Sequence, residues 1–370
     1  MRFVSLNCTL SFRLACFSSL IISQACGELP GFTIAAKVDD FVQTPVLNDK
    51  IDILFVVDNS LSMDQEQANL TSSFGAFIDK FASKNLNFQV AVISTDVVNN
   101  ADWWAAQGLY VNSSPYKDFP NNGPGTVLSK TGNDRILKPT STNYIEQFSQ
   151  NALLGTGGSG VEAGILSVIK ALDSAQLAPG GWNEGLIREG AFFSLIFLSD
   201  EGESRVISPG ASSYLRSYPT EYDARIDQFK TTLEALKPFQ TDLIRVDAIV
   251  APSVEACPTV GKTSGIPGIG TEYIRAAELF GGKTSNICDD FSEALESLGS
   301  DLVTVLTRFK LVQKPVGQIE VRVDNVLVPR DSTNGWEYLS ETQEVEFRGS
   351  YIPKANSSIA VTYVPGAPLE

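Results

Sequence analysis

Up to about residue 312 the chain alternates between two kinds of hydrophobic pattern, and beyond it the pattern changes character. Residues 51–57, Ile-Asp-Ile-Leu-Phe-Val-Val, form a nearly continuous apolar run rich in branched side chains. A run of that kind predicts a strand covered on both faces, as in a parallel sheet. A helix is predicted next, because Leu70, Phe74, Phe77, Ile78 and Phe81 recur at three- and four-residue steps and make one apolar stripe. Further strands are expected at residues 88–94, 191–199 and 243–250, with helices at 161–172, 222–236 and 273–280. A final helix is expected to carry Phe291, Leu295, Leu298, Leu302, Val305, Leu306 and Phe309 along one face. Alternation of strands and helices predicts an α/β fold with a doubly wound, mostly parallel sheet.

Residues 97–140 interrupt this alternation and read as an insertion. It contains Trp103-Trp104 and a hairpin expected over 126–138, turning at Thr131-Gly132-Asn133-Asp134. After Lys314-Pro315, short alternating segments at 318–323, 326–328, 336–339, 344–347 and 358–363 predict a small antiparallel β-unit. Residues 313–370 are too few to bury a strong core alone, so this unit is expected to dock on the rest.

Composition narrows the chemistry. Lys and Arg total 28 against 43 Asp and Glu, a formal charge of −15, which argues against nucleic acid as a partner. No histidine occurs anywhere. Ser-His-Asp and Cys-His catalysis and His-based zinc sites are thereby removed, and carboxylates are left as the familiar general bases. The expectation is a protein that is not an enzyme.

The N-terminus reads as an export signal over residues 1–25: Arg2 and Arg13 flank the start, and residues 14–22 are an apolar core too short to span a bilayer. Ala25-Cys26-Gly27 resembles the cleavage and lipidation box of a bacterial lipoprotein, with Gln24 departing from the small residue usual at its position. Lipidation at Cys26 implies an outer-membrane lipoprotein in contact with the membrane through its lipid. The alternative is ordinary cleavage near Ala25 and a free exported protein. Residues 26–49 then read as a tether or first edge element. Cys8 and Cys16 leave with the leader, so Cys257 and Cys288 remain as a pair expected to form a disulfide in an oxidising compartment. Their spacing is far from C-x-x-C, which disfavours a redox or metal role.

Asp58-Asn59-Ser60-Leu61-Ser62 follows the first predicted strand and presents hard oxygen donors on one loop. A second loop, Leu154-Gly155-Thr156-Gly157-Gly158-Ser159-Gly160, is glycine-rich and carries two hydroxyls; a third begins at Asp200 where the strand over 191–199 ends. Together these loops resemble the metal-ion-dependent adhesion site of the von Willebrand factor type A domain, over about residues 50–312. The resemblance implies a Rossmann-like fold and a metal held by Asp58, Ser60, Ser62, Thr156 and Asp200. Ser159 is an alternative to Thr156, since Gly-Gly-Ser follows Thr156 here. The implied ion is Mg2+, with Mn2+ or Ca2+ also suited to oxygen ligands. One coordination position is expected to stay open for an acidic group of a protein ligand, or for a glycan, on another cell or envelope component. Function is therefore expected to be cation-dependent adhesion, the alternative being an envelope scaffold that uses the same domain for protein–protein interaction.

Overall fold

The computed structural model describes residues 37–42, 48–97, 119, 125–158, 162–203, 222–238, 240–258, 268–354 and 357–366. The export signal, Cys26, Trp103-Trp104 and Ser159 lie outside them. Five strands make the central sheet: β2 (Lys50–Val57), β3 (Asn87–Ser94), β4 (Phe192–Ser199), β5 (Ile244–Val250) and β6 (Thr284–Asn286), after a first strand β1 (Lys37–Val42) that belongs elsewhere. Their order is β3-β2-β4-β5-β6, and every pairing is parallel.

Period-two alternation divides β2 between two cores. Ile51, Ile53, Phe55 and Val57 pack on one face, and Leu54 and Val56 on the other. The first face is covered by α1 (Asp64–Ala82), α2 (Tyr144–Ala152) and, later in the chain, the helix Phe291–Thr307. Leu70, Phe74, Phe77, Ile78 and Phe81 of α1 are all buried there, as the helical stripe requires. Phe55 meets the rings of Phe74, Phe77 and Phe148 edge-on at centroid distances of 5.3–6.4 Å. The opposite face is covered by α3 (Gly164–Ala171), followed by the short α4 (Ser174–Leu177), and by α5 (Tyr222–Leu236) and α6 (Thr271–Leu279). The one charge inside the β2 run, Asp52, is held by the Arg188 Nε and backbone N, both at 2.6 Å.

The expected α/β architecture with a C-terminal antiparallel unit is the one observed, with local departures. Residues 126–138 do not pair with each other as a hairpin. They lie along the edge strand β3, where Leu128 N donates to Val92 O and Val90 and Leu137 exchange two bonds, all at 2.8 Å. An exposed sheet edge offers unpaired backbone groups, and this segment covers them. The last helix, α7 (Phe291–Thr307), stops before Phe309, which lies instead in β7 (Arg308–Lys310).

The remaining strands are β8 (Pro315–Val323), β9 (Val326–Leu327), β10 (Trp336–Leu339), β11 (Glu344–Phe347) and β12 (Ser358–Pro365). They form two antiparallel sheets, β10-β11-β7 and β1-β12-β8-β9. Part of the segment read as a tether is thus the edge strand β1, which pairs with β12 from Lys37–Tyr363 to Val42–Ser358. Val321, Val345, Phe347 and Tyr363 join the same core as α1 and α7. Residues 36–370 form one compact unit.

Glu346 fixes the docking of the small sheets. It is almost fully buried and accepts from Lys84 Nζ (2.8 Å), Arg308 Nη2 (3.3 Å) and Arg348 Nη2 (2.6 Å). Burial alone would raise its pKa, but the bonds from Lys84 and Arg348 and the charges of Lys84 and Arg308 hold it below its usual value. Elsewhere Cys257 and Cys288 are disulfide-bonded, with Cα atoms 5.6 Å apart, and tie the segment after β5 to the turn before α7.

Two outcomes follow for stability. Glu346→Ala leaves three cations facing an emptied buried position and is expected to cost about 3 kcal/mol in urea unfolding at neutral pH. Because the folded pKa is depressed, the Glu346 contribution is present above the ordinary carboxylate range and vanishes as pH falls through the folded value, so the penalty should shrink in acid. Replacing both Cys257 and Cys288 by Ser should cost about 2–4 kcal/mol, and the wild-type protein should show no free thiol from this pair without reductant.

Candidate metal centre

β3 lies on one side of β2, and β4 and β5 follow on the other, so chain order reverses between β2 and β4. Ligand sites in open α/β sheets lie outside the carboxyl ends of strands at such a reversal. Asp58 is the first residue past β2, held there by its N–H donating to Leu198 O of β4 at 3.0 Å. Its side chain is fully buried. Ser60 N donates to Asp58 Oδ1 at 2.8 Å, and Ser199 Oγ donates to Asp58 Oδ2 at 2.6 Å. The hydroxyls of Ser60 and Ser62 lie 3.3 Å apart, and Ser62 Oγ donates to Asp200 Oδ1 at 3.1 Å. Asp58, Ser60, Ser62 and Asp200 are therefore linked through one chain of polar contacts.

Helix capping does not account for these residues. The N-cap of α1 is Met63, and no side chain caps that end. The glycine-rich loop reaches the site through its backbone. Gln67 of α1 donates to Asp58 O (2.9 Å) and to Gly155 O (3.0 Å), and it accepts from Gly155 N (3.1 Å). Gly158 N donates to Asn59 O at 2.9 Å. A Cβ on Gly158 would stand 2.3 Å from Asn59 Oδ1, so this approach requires glycine. Thr156 is half-buried on the same loop. Among the described residues its side chain makes no hydrogen bond to Asp58, Ser60, Ser62 or Asp200.

Several polar residues here were not singled out from sequence. Ser199, the last residue of β4, was read only as the end of an apolar run. Glu162 was placed inside a helix over 161–172, whereas α3 begins at Gly164 and Glu162 instead forms an antiparallel bridge with Asp96. Glu162 is fully buried, and its Oε2 accepts from Thr95 Oγ1 at 2.6 Å. Glu203 closes the third loop: it accepts from Ile165 N (2.9 Å) at the start of α3, from Arg225 Nη1 (2.9 Å) and from Tyr273 Oη (3.2 Å).

Burial raises the pKa of Asp58, a rise opposed by the Ser199 and Ser60 hydrogen bonds. Asp200 is pushed up to about 7, first by burial and then by the negative charge of Asp58, with the bond from Ser62 opposing. Glu162 is raised well above its usual value by burial and by Asp58. Glu66 and Glu201, half-buried at the rim, are raised as well, chiefly by burial.

Four buried carboxylates elsewhere have cations of their own: Asp52 pairs with Arg188, Glu203 with Arg225, Asp247 with Arg245, and Glu346 with Lys84, Arg308 and Arg348. Among the described residues no Lys or Arg forms an ion pair with Asp58, Asp200 or Glu162. Their donors are carboxylate and hydroxyl oxygens, the set that suits a hard divalent cation. Three Asp or Glu side chains do not yet converge on a single point among the described residues; the set that is assembled combines two carboxylates with two hydroxyls.

Metal-free protein should lose stability as pH rises from about 4 to 8. The sign follows from linkage: a folded pKa raised above the unfolded one gives stability that is complete below the unfolded value, 3.8 for Asp200, and is lost as pH rises through about 7. Saturating Mg2+ binds the deprotonated carboxylates and should flatten this dependence. Thermal unfolding across that range, in chelator and in Mg2+, measures both slopes; a chelated protein that grows more stable from pH 5 to 8 would contradict the reading of the site.

No family model matches the chain, and no curated protein matches it. Solved structures with similar backbones include proximal thread matrix protein 1 from the mussel byssus, at 14% identity and a TM-score of 0.35, with 73% of this chain and 51% of that one covered. A second structure of that protein has a zinc-occupied MIDAS motif and aligns at 13% identity with a TM-score of 0.35, over 73% of this chain and 51% of that one. The pilus adhesin SpaC from Lactobacillus rhamnosus GG, in an open conformation, aligns at 10% identity with a TM-score of 0.38, over 85% of this chain and 38% of that one. The chain thus spans about half or less of the length of these proteins, and overlaps of this extent carry no argument about function.

Proposed function

We propose that this protein is an exported, non-enzymatic adhesin that holds a divalent cation, Mg2+ or else Mn2+ or Ca2+, with Asp58, Ser60, Ser62 and Asp200. A hydroxyl from the glycine-rich loop, Thr156 or Ser159, would complete the protein ligands. The observation that carries this reading is the contrast in charge: buried Asp52, Glu203, Asp247 and Glu346 have Arg or Lys partners, while no Lys or Arg forms an ion pair with Asp58, Asp200 or Glu162 among the described residues. A cation from solution supplies the missing charge and, with a coordination position left over, an electrophilic contact for a partner's carboxylate or a glycan oxygen.

The protein side of the mechanism is positioning. Ser60 N and Ser199 Oγ fix both oxygens of Asp58, so the carboxylate is oriented before any ion arrives. Ser62 orients Asp200 across the gap between β2 and β4. Leu61, between the two serines, is 77% exposed and offers an apolar contact beside the ion. The half-buried Glu66 and Glu201 favour a partner whose carboxylate is flanked by basic groups. The disulfide between Cys257 and Cys288 supports export to an oxidising compartment. Anchoring through a lipid on Cys26 at the outer membrane belongs to the same proposal. With no histidine in the chain, the acids of the centre are assigned to holding the cation and not to proton transfer, in keeping with binding without catalysis.

The scaffold alternative makes a different demand on the same surface. A partner docking on the acidic rim alone would bind without an ion and weaken steeply with salt.

Asp58→Ala should abolish Mg2+ and Mn2+ binding in calorimetry and leave the far-ultraviolet dichroism unchanged, because the core lies in the strands beneath the loop. Unchanged metal affinity would remove Asp58 from the site. Ligand captured by surface crosslinking should be lost in chelator and displaced by carboxylate peptides but not by their amide forms. Capture that survives chelator and falls with salt would favour the scaffold.

A further inference from the structure

Just before α3 stands a carboxylate that the adhesion-site pattern does not use. Glu162 has no solvent exposure, and its carboxyl lies against that of Asp58. One oxygen, Oε2, is held by Thr95 Oγ1 at 2.6 Å; no N–H or hydroxyl donates to the other, Oε1, and the carboxyl as a whole meets that of Asp58 within hydrogen-bonding reach. An unpartnered carboxylate oxygen buried beside a second carboxylate is costly, and such arrangements persist where something else supplies the missing interaction. The position is also fixed. Glu162 forms a backbone bridge with Asp96, and the next residue, Ala163, donates its N–H to Thr95 O at 3.1 Å.

We propose that Glu162 supplies a carboxylate oxygen, Oε1, to the cation held by Asp58, Ser60, Ser62 and Asp200. This rests on the reading of that site as a cation centre and adds a residue to it. Oε1 has no N–H or hydroxyl donor to give up in turning towards the ion, which would replace the contact between the Glu162 and Asp58 carboxyls, while Oε2 stays anchored to Thr95. With Glu162 the set holds three carboxylates beside its hydroxyls and gives the ion more negative charge than two carboxylates would, and charge count is a main determinant of affinity for Ca2+. Thr156, by contrast, has no hydrogen bond to the other four residues among the described residues, so affinity should depend on Glu162 more than on Thr156.

The test is calorimetric titration of the full chain with Mn2+ and Ca2+, comparing wild type with Glu162→Gln, Glu162→Asp, Thr156→Ala and Asp58→Ala, each first checked for folding by a thermal melt in chelator. Glu162→Gln should weaken binding of both ions by at least about tenfold, the lower end of what even an outer-shell partner of a metal ligand contributes. Glu162→Asp keeps the charge but withdraws the oxygen by one methylene, and it should weaken binding too, which guards against a folding defect peculiar to the amide. Thr156→Ala should weaken binding less than Glu162→Gln does. If Asp58→Ala loses binding while both Glu162 variants bind like wild type, the role of Glu162 is overturned and the cation centre stands. If Asp58→Ala also binds like wild type, the cation centre itself falls and this inference falls with it.

Discussion

The arrangement depends on one electrostatic constraint: carboxylates are buried together where two parallel strands part. Asp58 and Asp200 stand one residue past the ends of β2 and β4, and Glu162 joins them from just before α3. Removing a carboxylate from water costs several kcal/mol unless an opposite charge or a set of donors meets it. The fold spends many donors on Asp58, through Ser60 and Ser199, and few on the others. Burial first, and for Asp200 and Glu162 the charge of Asp58 after it, raises the affinity of these acids for protons, and a bound cation would relieve the same cost.

The loops carrying these acids are held by bonds that cross between elements. Gln67 joins α1 to both Asp58 and the glycine-rich loop, and Glu203 joins the third loop to α3, α5 and α6. Both clamps are buried. A displacement of the third loop would therefore strain the start of α3, so the positions of the acids are set by the fold. Preorganisation of this kind lowers the reorganisation a ligand must provide for.

Much of the fold was legible because period and burial coincide. The run over 51–57 is buried on both faces, and the α1 stripe is the buried set, so both elements follow from pattern alone. Asp58, Ser60, Ser62 and Asp200 were legible for a related reason: polar residues placed just after apolar strands mark the carboxyl edge of a sheet. Tertiary pairing was not legible. Residues 126–138 alternate like a hairpin but pair with β3, and β1 sits in a stretch without clear periodicity because its partner, β12, is more than 300 residues away in sequence. Phe309 continues the helical spacing of α7 yet lies in a strand, since β11 offers a ladder at that point. Glu162 was hidden inside a predicted helix, and only its contact with Asp58 distinguishes it from an ordinary first-turn acid.

The central claim, that a divalent cation neutralises the acids at the end of β2 and β4, is tested most directly by a crystal structure of the protein grown in Mn2+, using anomalous scattering to locate the ion. The account predicts a single strong peak within coordination distance of Asp58, Ser60, Ser62 and Asp200. A map with no anomalous peak between those side chains, at a Mn2+ concentration that saturates other hard-oxygen sites, would contradict it.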